Sequence, residues 1–211
     1  MNNFINIITG RPYRIAKHIY DEIGIKTPMV NFNGALTHIP HEHWDKEYDV
    51  ELTRELALDL LAHRKELGIK TITVENKHHV WANQASNDLP EFLPNKLRDD
   101  QILTATNLTG NPIAMTIQYE PEHQEEIIKA VNEKYGDFVE PRVWGGPYNI
   151  LELIHRGTHK ESGMFYIANA NKDDEIDSYI MIPANDSKLG QRVSSRLLMK
   201  KLLAKHILLL K

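Results

Sequence analysis

Cysteine is absent from the 211-residue sequence, and this absence excludes both a disulfide framework and a thiol nucleophile. No apolar run reaches the roughly 18 residues that a membrane-spanning helix requires. The first residues carry neither a basic region nor a small-residue cleavage site, so we expect no secretory signal. Together these absences predict a cytoplasmic protein. The net charge of −4 gives no indication of binding to nucleic acid.

Acidic residues are missing from the segment 187–211, which carries seven Lys and Arg side chains. Subtracting this +7 from the total of −4 leaves −11 for residues 1–186. Three explanations fit the basic segment: an amphipathic helix on an anionic membrane surface, a helix packed on a sheet, or a shift of reading frame near Asp177. We favour the third explanation, in which the tail is not a selected sequence, and membrane contact stays an alternative.

Apolar periodicity predicts helices and strands that alternate along the chain. Residues 4–8 are almost continuously apolar, which is typical of a strand buried on both faces of a parallel sheet. Between residues 51 and 154 the predicted order is typical of an α+β sandwich, with helices on one face of an antiparallel sheet. The predicted helices are 13–23, 51–67 and 122–135, and the predicted strands are 4–8, 28–32, 69–74, 78–82, 113–119, 138–144, 148–154 and 176–182.

The first strand ends at Thr9-Gly10-Arg11, and Pro12 suits the first position of the helix that follows. A hydroxyl, a glycine and a guanidinium group therefore lie between the C-terminal end of a strand and the N-terminus of a helix. This is the place where doubly wound α/β folds bind phosphates and other anions. An ordinary strand-to-helix turn is an alternative of roughly equal weight.

Two later segments add weight to the phosphate-site interpretation. Asn33-Gly34-Ala35 follows the second predicted strand, and LELIHRGTHKESG occupies residues 151–163. With the TGRP segment at 9–12, this ordered set resembles the haloacid dehalogenase superfamily, and within it the Cof-type phosphatases with a large α/β cap. The resemblance covers residues 4–175, and the combination is far more specific than any single motif.

The resemblance implies an α/β fold, a haloacid dehalogenase-like core with a Rossmann-like parallel sheet that is incomplete here and an inserted α+β cap domain. On this basis we expect the first part of the core at residues 1–35, the cap at 36–150 and the second part of the core at 151–211. The atypical basic tail begins at about residue 187.

In the family, hydrolysis of a phosphate ester uses an aspartyl nucleophile, Mg²⁺ held by carboxylates, a hydroxyl on the phosphoryl group and a lysine. The resemblance gives these last two roles to Thr9 and Lys160. It assigns contact with the substrate, a small phosphorylated metabolite such as a sugar, flavin or cofactor phosphate, to Gly10, Arg11, Asn33 and Gly34. From the residues alone, Asn33 also fits a ligand-free Asn-Gly turn, and Lys160 an exposed lysine at a helix start.

Two family motifs are incomplete in this sequence. No D-x-D-G-T segment precedes Thr9, and the first aspartate, Asp21, lies inside a predicted helix. The G-D-x-x-N-D metal loop retains at most Asn185-Asp186, and a single carboxylate at Asp186 would hold Mg²⁺ weakly.

We therefore expect a truncated, inactive phosphatase in which strand 4–8 has unpaired N–H and C=O groups where the nucleophile strand would lie. The alternative is a non-catalytic module that binds a metabolite or a membrane.

Overall fold

The computed structural model describes residues 3–89, 91–171 and 178–183. Contacts divide the chain into unit 1, residues 1–49 with 159–211, and unit 2, residues 50–158. The described helices are α1 (Tyr13–Ile23), α2 (Arg54–His63), α3 (Gln124–Tyr135) and α4 (Lys160–Ala170). The described strands are β1 (Asn3–Ile8), β2 (Met29–Asn31), β3 (Leu36–His38), β4 (Tyr48–Asp49), β5 (Ile69–Glu75), β6 (Val80–Ala82), β7 (Ala114–Tyr119), β8 (Val139–Val143), β9 (Ile150–His155) and β10 (Ser178–Pro183).

Unit 1 contains a five-stranded sheet in the order β10-β1-β2-β3-β4. The strands β10, β1 and β2 are parallel, whereas β3 and β4 continue the sheet in antiparallel fashion. Successive side chains of β1 point to opposite faces: Ile7 packs with Ala16 of α1, and Ile8 packs with Ile167 of α4. Helices therefore cover both faces of β1, which confirms the prediction of a doubly buried strand in an α/β core.

Both edges of β1 are paired in the structure. β10 lies beside β1 in parallel register from Asn3 with Ser178 to Ile8 with Pro183, and β2 pairs on the opposite side. The expectation that β1 would have one unpaired edge is therefore wrong. β10 supplies the missing hydrogen-bond partners, and its position agrees with the strand predicted at 176–182.

Unit 2 is built on an antiparallel five-stranded sheet in the order β6-β5-β7-β9-β8. Helices α2 and α3 pack on its apolar face, as the predicted α+β sandwich requires. The interior of this unit includes Leu56, Leu60, Ile72, Ile117, Ile127, Val131 and Leu153, each 3% exposed or less. Among the described helices, none is long and apolar enough to cross a bilayer.

The boundaries of the two units differ from those expected at residues 36 and 150. β3 pairs with β2, so that the chain stays in unit 1 as far as Asp49. β9 pairs with β7 and β8, so that the chain leaves unit 2 only after Thr158.

Candidate functional site

The first part of the site is the turn between β1 and α1. Thr9 is fully buried, and its backbone N–H donates to the carbonyl oxygen of Val30 at 2.9 Å. Its Oγ1 accepts a hydrogen bond of 3.1 Å from the backbone N–H of Arg11. Pro12 then leads into α1. The predicted hydroxyl therefore lies at the C-terminal end of a parallel strand and at the start of a helix.

The second part is the bend after β2. Asn33 adopts the left-handed conformation, with φ 55° and ψ 29°, and its N–H donates to the carbonyl oxygen of Thr9 at 3.2 Å. A Cβ atom built on Gly10 would lie 2.6 Å from Oδ1 of Asn33. The side-chain amide of Asn33 therefore fills the space that a side chain at position 10 would occupy.

The third part is the start of α4, which lies against the same bend. Gly34 has φ +106°, and a Cβ atom there would overlap the carbonyl oxygen of His159 and lie 3.0 Å from Oγ of Ser162. Ser162 closes the first turn of α4, because its Oγ accepts from the N–H of His159 at 3.1 Å. Lys160, the first residue of α4, is half-buried, and among the described residues its ammonium has no hydrogen-bond or ion-pair partner.

The structure thus brings together the segments around Thr9, Asn33 and Lys160, which lie 24 and 127 residues apart in the sequence. Two helix N-termini, those of α1 and α4, flank this place, and each contributes a partial positive charge. Arg11 and Lys160 add full positive charges to the same segments. Such an arrangement favours an anion with several oxygen atoms, such as a phosphoryl group.

A buried polar cluster that the sequence analysis missed lies next to the turn. Asn31 and His38 are both fully buried and joined by a hydrogen bond of 3.0 Å, and Asn31 also donates to the carbonyl oxygen of Arg11 at 3.0 Å. The ring of Tyr13 meets His38 edge-on at 4.7 Å. Burial, assisted by the charge of Asp21, raises the pKa of Tyr13. No spacing rule indicates this cluster, because only the pairing of β2 with β3 brings Asn31 and His38 together.

The described residues do not fit a magnesium ion. Nowhere among them do three or more His, Cys, Asp or Glu side chains come close enough to hold a metal. Protein-bound Mg²⁺ is held through one or two carboxylates, whereas the charged side chains that we assign to the described site, Arg11 and Lys160, are cations. The predicted ligand Asp186 lies outside the described residues, and so does the basic segment 187–211, for which membrane contact was one alternative.

The fold is that of an α/β protein with a Rossmann-like parallel core and an inserted α+β unit, and the candidate site lies at the end of a core strand beside two helix N-termini. A family model for haloacid dehalogenase-like hydrolases matches residues 2–180. The chain belongs to this family, and the resemblance inferred from the TGRP, NGA and 151–163 segments is confirmed.

A curated relative from Bacillus subtilis (strain 168) is the 5-amino-6-(5-phospho-D-ribitylamino)uracil phosphatase YitU. It is 24% identical over an alignment of 176 positions that covers 79% of this chain. The chain spans 62% of the length of that relative.

Solved structures show the same fold. A protein from Thermotoga maritima superposes with a TM-score of 0.63 at 12% identity, over 92% of this chain and 84% of the other. A structure described as the haloacid dehalogenase subclass IIB sugar phosphatase BT4131 superposes with a TM-score of 0.60 at 15% identity, over 90% of this chain and 77% of the other. The predicted α/β class with an inserted cap is therefore confirmed.

Proposed function

We propose that the site around Thr9, Asn33 and Lys160 binds the phosphoryl group of a small phosphorylated metabolite. The observation that carries this proposal is the convergence of three distant segments at one strand end, with Asn33 N–H on the Thr9 carbonyl and Gly34 against His159. Positioned donors and cations of this kind stabilise the charge of phosphoryl oxygens.

Each residue contributes in a different way. Thr9 presents its hydroxyl from a buried strand end, where the Arg11 N–H holds its oxygen. Lys160 supplies a half-buried ammonium at a helix N-terminus, and partial burial strengthens its attraction for an anion. Because positions 10 and 34 are glycines, the two turns approach closely enough to place the Asn33 side chain beside the turn at Gly10.

The substrate class follows from the family rather than from the shape of the site. A curated relative is named for a phosphoribityl compound, and a structural neighbour is described as a sugar phosphatase. We therefore infer that sugar and sugar-alcohol phosphates are the ligands to test first, with ribitol 5-phosphate as the initial probe.

Hydrolysis is a separate matter from binding. The 211 residues contain no D-x-D-G-T segment, and β1 carries no aspartate before Thr9. We therefore propose that this chain binds phosphate esters but does not cleave them, although its family is one of hydrolases. The resemblance also implies Mg²⁺ as the cofactor of the family, with Asp186, outside the described residues, as the candidate ligand in this chain. We propose that phosphate binding by this chain does not require the metal.

Calorimetric titration of the full chain tests the binding. Inorganic phosphate and ribitol 5-phosphate are each titrated in EDTA and again with Mg²⁺. Lys160→Ala and Thr9→Val should each weaken binding about tenfold or more, because a hydrogen bond to a charged group contributes roughly 1.5–3 kcal/mol. Lys129→Ala is the matched control, since that lysine is 74% exposed and pairs only loosely, at 3.8 Å, with Glu133 of its own helix in unit 2.

Three results would contradict the proposal in different ways. Equal losses in Lys160→Ala and Lys129→Ala would show that net charge rather than the site binds the ligand. Phosphate release from ribitol 5-phosphate that disappears in Lys160→Ala would show that the chain is an active hydrolase. If the wild-type chain binds neither ligand but sediments with anionic vesicles, the membrane-binding alternative is favoured.

A further inference from the structure

The carbonyl group of Arg11, in the turn between β1 and α1, accepts two hydrogen bonds. It accepts hydrogen bonds from Nδ2 of Asn31 at 3.0 Å and from the N–H of Phe32 at 3.4 Å. A carbonyl oxygen can only accept, so the nitrogen of the Asn31 amide must face Arg11 and its oxygen must face His38. Nε2 of His38 lies 3.0 Å from that oxygen and must therefore carry the hydrogen.

We propose that His38 is a positioning residue for the phosphate site, acting through Asn31 on the backbone of Arg11. This inference rests on the proposed function. His38 donates to Asn31, Asn31 donates to the Arg11 carbonyl, and the Arg11 N–H donates to Oγ1 of Thr9. Arg11 is therefore held at both its N–H and its C=O, and the Thr9 hydroxyl is oriented by the same chain of bonds.

Packing alone does not account for the identities of these residues. His38 and Asn31 are both fully buried, and an apolar residue of similar volume would fill either position. A leucine at position 38 would leave Oδ1 of Asn31 without its histidine donor, and the amide would be free to rotate. Rotation of the amide would place Oδ1 of Asn31 next to the carbonyl oxygen of Arg11. The hydrogen bond from Asn31 to Arg11 that fixes the turn would then be lost.

The position of His38 is itself constrained by the fold. In the antiparallel β2–β3 pair, His38 lies opposite Met29, and Met29 is two positions from Asn31 along β2. The ring of Tyr13, the first residue of α1, meets the imidazole edge-on with an interplanar angle of 86°. The helix that begins at the site therefore also packs against the residue that orients the turn.

Amide hydrogen exchange of the full chain tests this role without any ligand. The reporters are the amides of Phe32 and Asn33, which bond to Arg11 and Thr9, and the control is Ile113 in unit 2. His38→Leu should accelerate exchange of both reporters about tenfold, the ratio equivalent to roughly 1.4 kcal/mol, and leave Ile113 unchanged. His38→Gln retains an N–H donor and should keep exchange within about threefold of wild type.

Unchanged exchange of the reporters in His38→Leu, or equal acceleration in the leucine and glutamine variants, would overturn the proposal. Asn31→Asp provides a second test that does not depend on the folding of the leucine variant. It keeps the shape of the side chain but removes the donor to Arg11, so the same acceleration is expected at Phe32, and its absence also overturns the proposal.

Phosphate affinity separates this inference from the function on which it rests. With inorganic phosphate as the probe, His38→Leu should bind about tenfold more weakly and His38→Gln within about threefold of wild type. If the wild-type chain binds no phosphate, the proposed function fails, while the exchange experiment still decides whether His38 fixes the turn. If wild type and His38→Leu bind phosphate equally well, the positioning role is refuted although the function stands.

Discussion

Replacement of Gly34 by alanine tests the geometry that brings α4 to the site. Gly34 has φ +106°, a conformation that costs a residue with a side chain about 1–3 kcal/mol. The new methyl group would overlap the carbonyl oxygen of His159, with the carbonyl carbon at 2.9 Å and Oγ of Ser162 at 3.0 Å. These neighbours belong to the N-terminal turn of a helix, so relief requires α4 to move rather than one side chain to rotate.

The expected loss from conformational strain and overlap together is about 2–4 kcal/mol in the free energy of unfolding of unit 1. Urea titration followed by the amide signals of Ile8 in unit 1 and Ile117 in unit 2 measures each unit separately. The midpoint should fall at Ile8 and stay constant at Ile117. Phosphate affinity should fall as well, because Lys160 moves with the start of α4.

Gly24 provides the matched control for the glycine at position 34. It also has a positive φ, +70°, but a Cβ atom there would meet nothing within 4 Å. Gly24→Ala should therefore lower the free energy of unfolding by only about 1 kcal/mol, the cost of the left-handed backbone conformation for a residue with a Cβ atom, and should leave phosphate affinity unchanged. Equal losses of stability in the two variants would refute the inferred contact between Gly34 and α4.

Three further predictions concern other parts of the two units. Gly10→Ala places a methyl group 2.6 Å from Oδ1 of Asn33 and should weaken phosphate binding about tenfold while changing unfolding by less than about 1 kcal/mol. In urea titrations, Asp59→Asn should lower the free energy of unfolding by about 1 kcal/mol at pH 7. It should not change this free energy at a pH below the pKa values of Asp59 in the folded and unfolded states. Tyr20→Phe should remove an absorbance step near pH 12 in the folded protein, because burial first, then Glu42 and other neighbouring groups, raises the pKa of Tyr20 to about 12.

The sign of the Asp59 effect follows from its surroundings. Burial alone would raise the pKa of Asp59, but hydrogen bonds from Lys134 at 2.9 Å and Tyr135 at 3.0 Å outweigh burial and lower it. A lowered pKa stabilises the folded state above the unfolded pKa of about 3.9, and this contribution disappears as the pH falls through the folded value. A difference between wild type and Asp59→Asn that persists in acid would contradict this account.

A loss of phosphate affinity in Gly10→Ala that is no larger than that in the Gly24→Ala control would show that Asn33 does not line the site. For Tyr20→Phe, an unchanged step near pH 12 would assign that step to another tyrosine.

Periodicity predicted the larger elements well, because their burial repeats along the chain. The spacing of Ile15, Ile19 and Ile23 predicted α1 with the bounds that the structure shows. The helix predicted at 51–67 is shorter, since Thr53 caps it by accepting from the N–H of Leu56 at 3.3 Å. β3 and β4, which have three and two residues, were missed.

Some residues of the candidate site could be predicted from the local sequence, whereas others depend on contacts between distant segments. Thr9, Asn33 and Lys160 lie in short motifs that the sequence displays, and the structure brings their segments together. Asn31 and His38 depend on the register of a strand pair that was not predicted, so no local pattern could have indicated them. The pairing of β10 with β1 was missed for the same reason, because about 170 residues separate the two strands.

The discontinuity of unit 1 has a consequence for the order of folding during synthesis. Unit 2 is one uninterrupted segment, so all its internal contacts are available once Thr158 has left the ribosome. β1 is made first but must wait for β10, which is the last described segment, before its second edge is paired. Nascent chains stalled shortly after unit 2 should therefore protect the amides of β7 and leave those of β1 open to exchange.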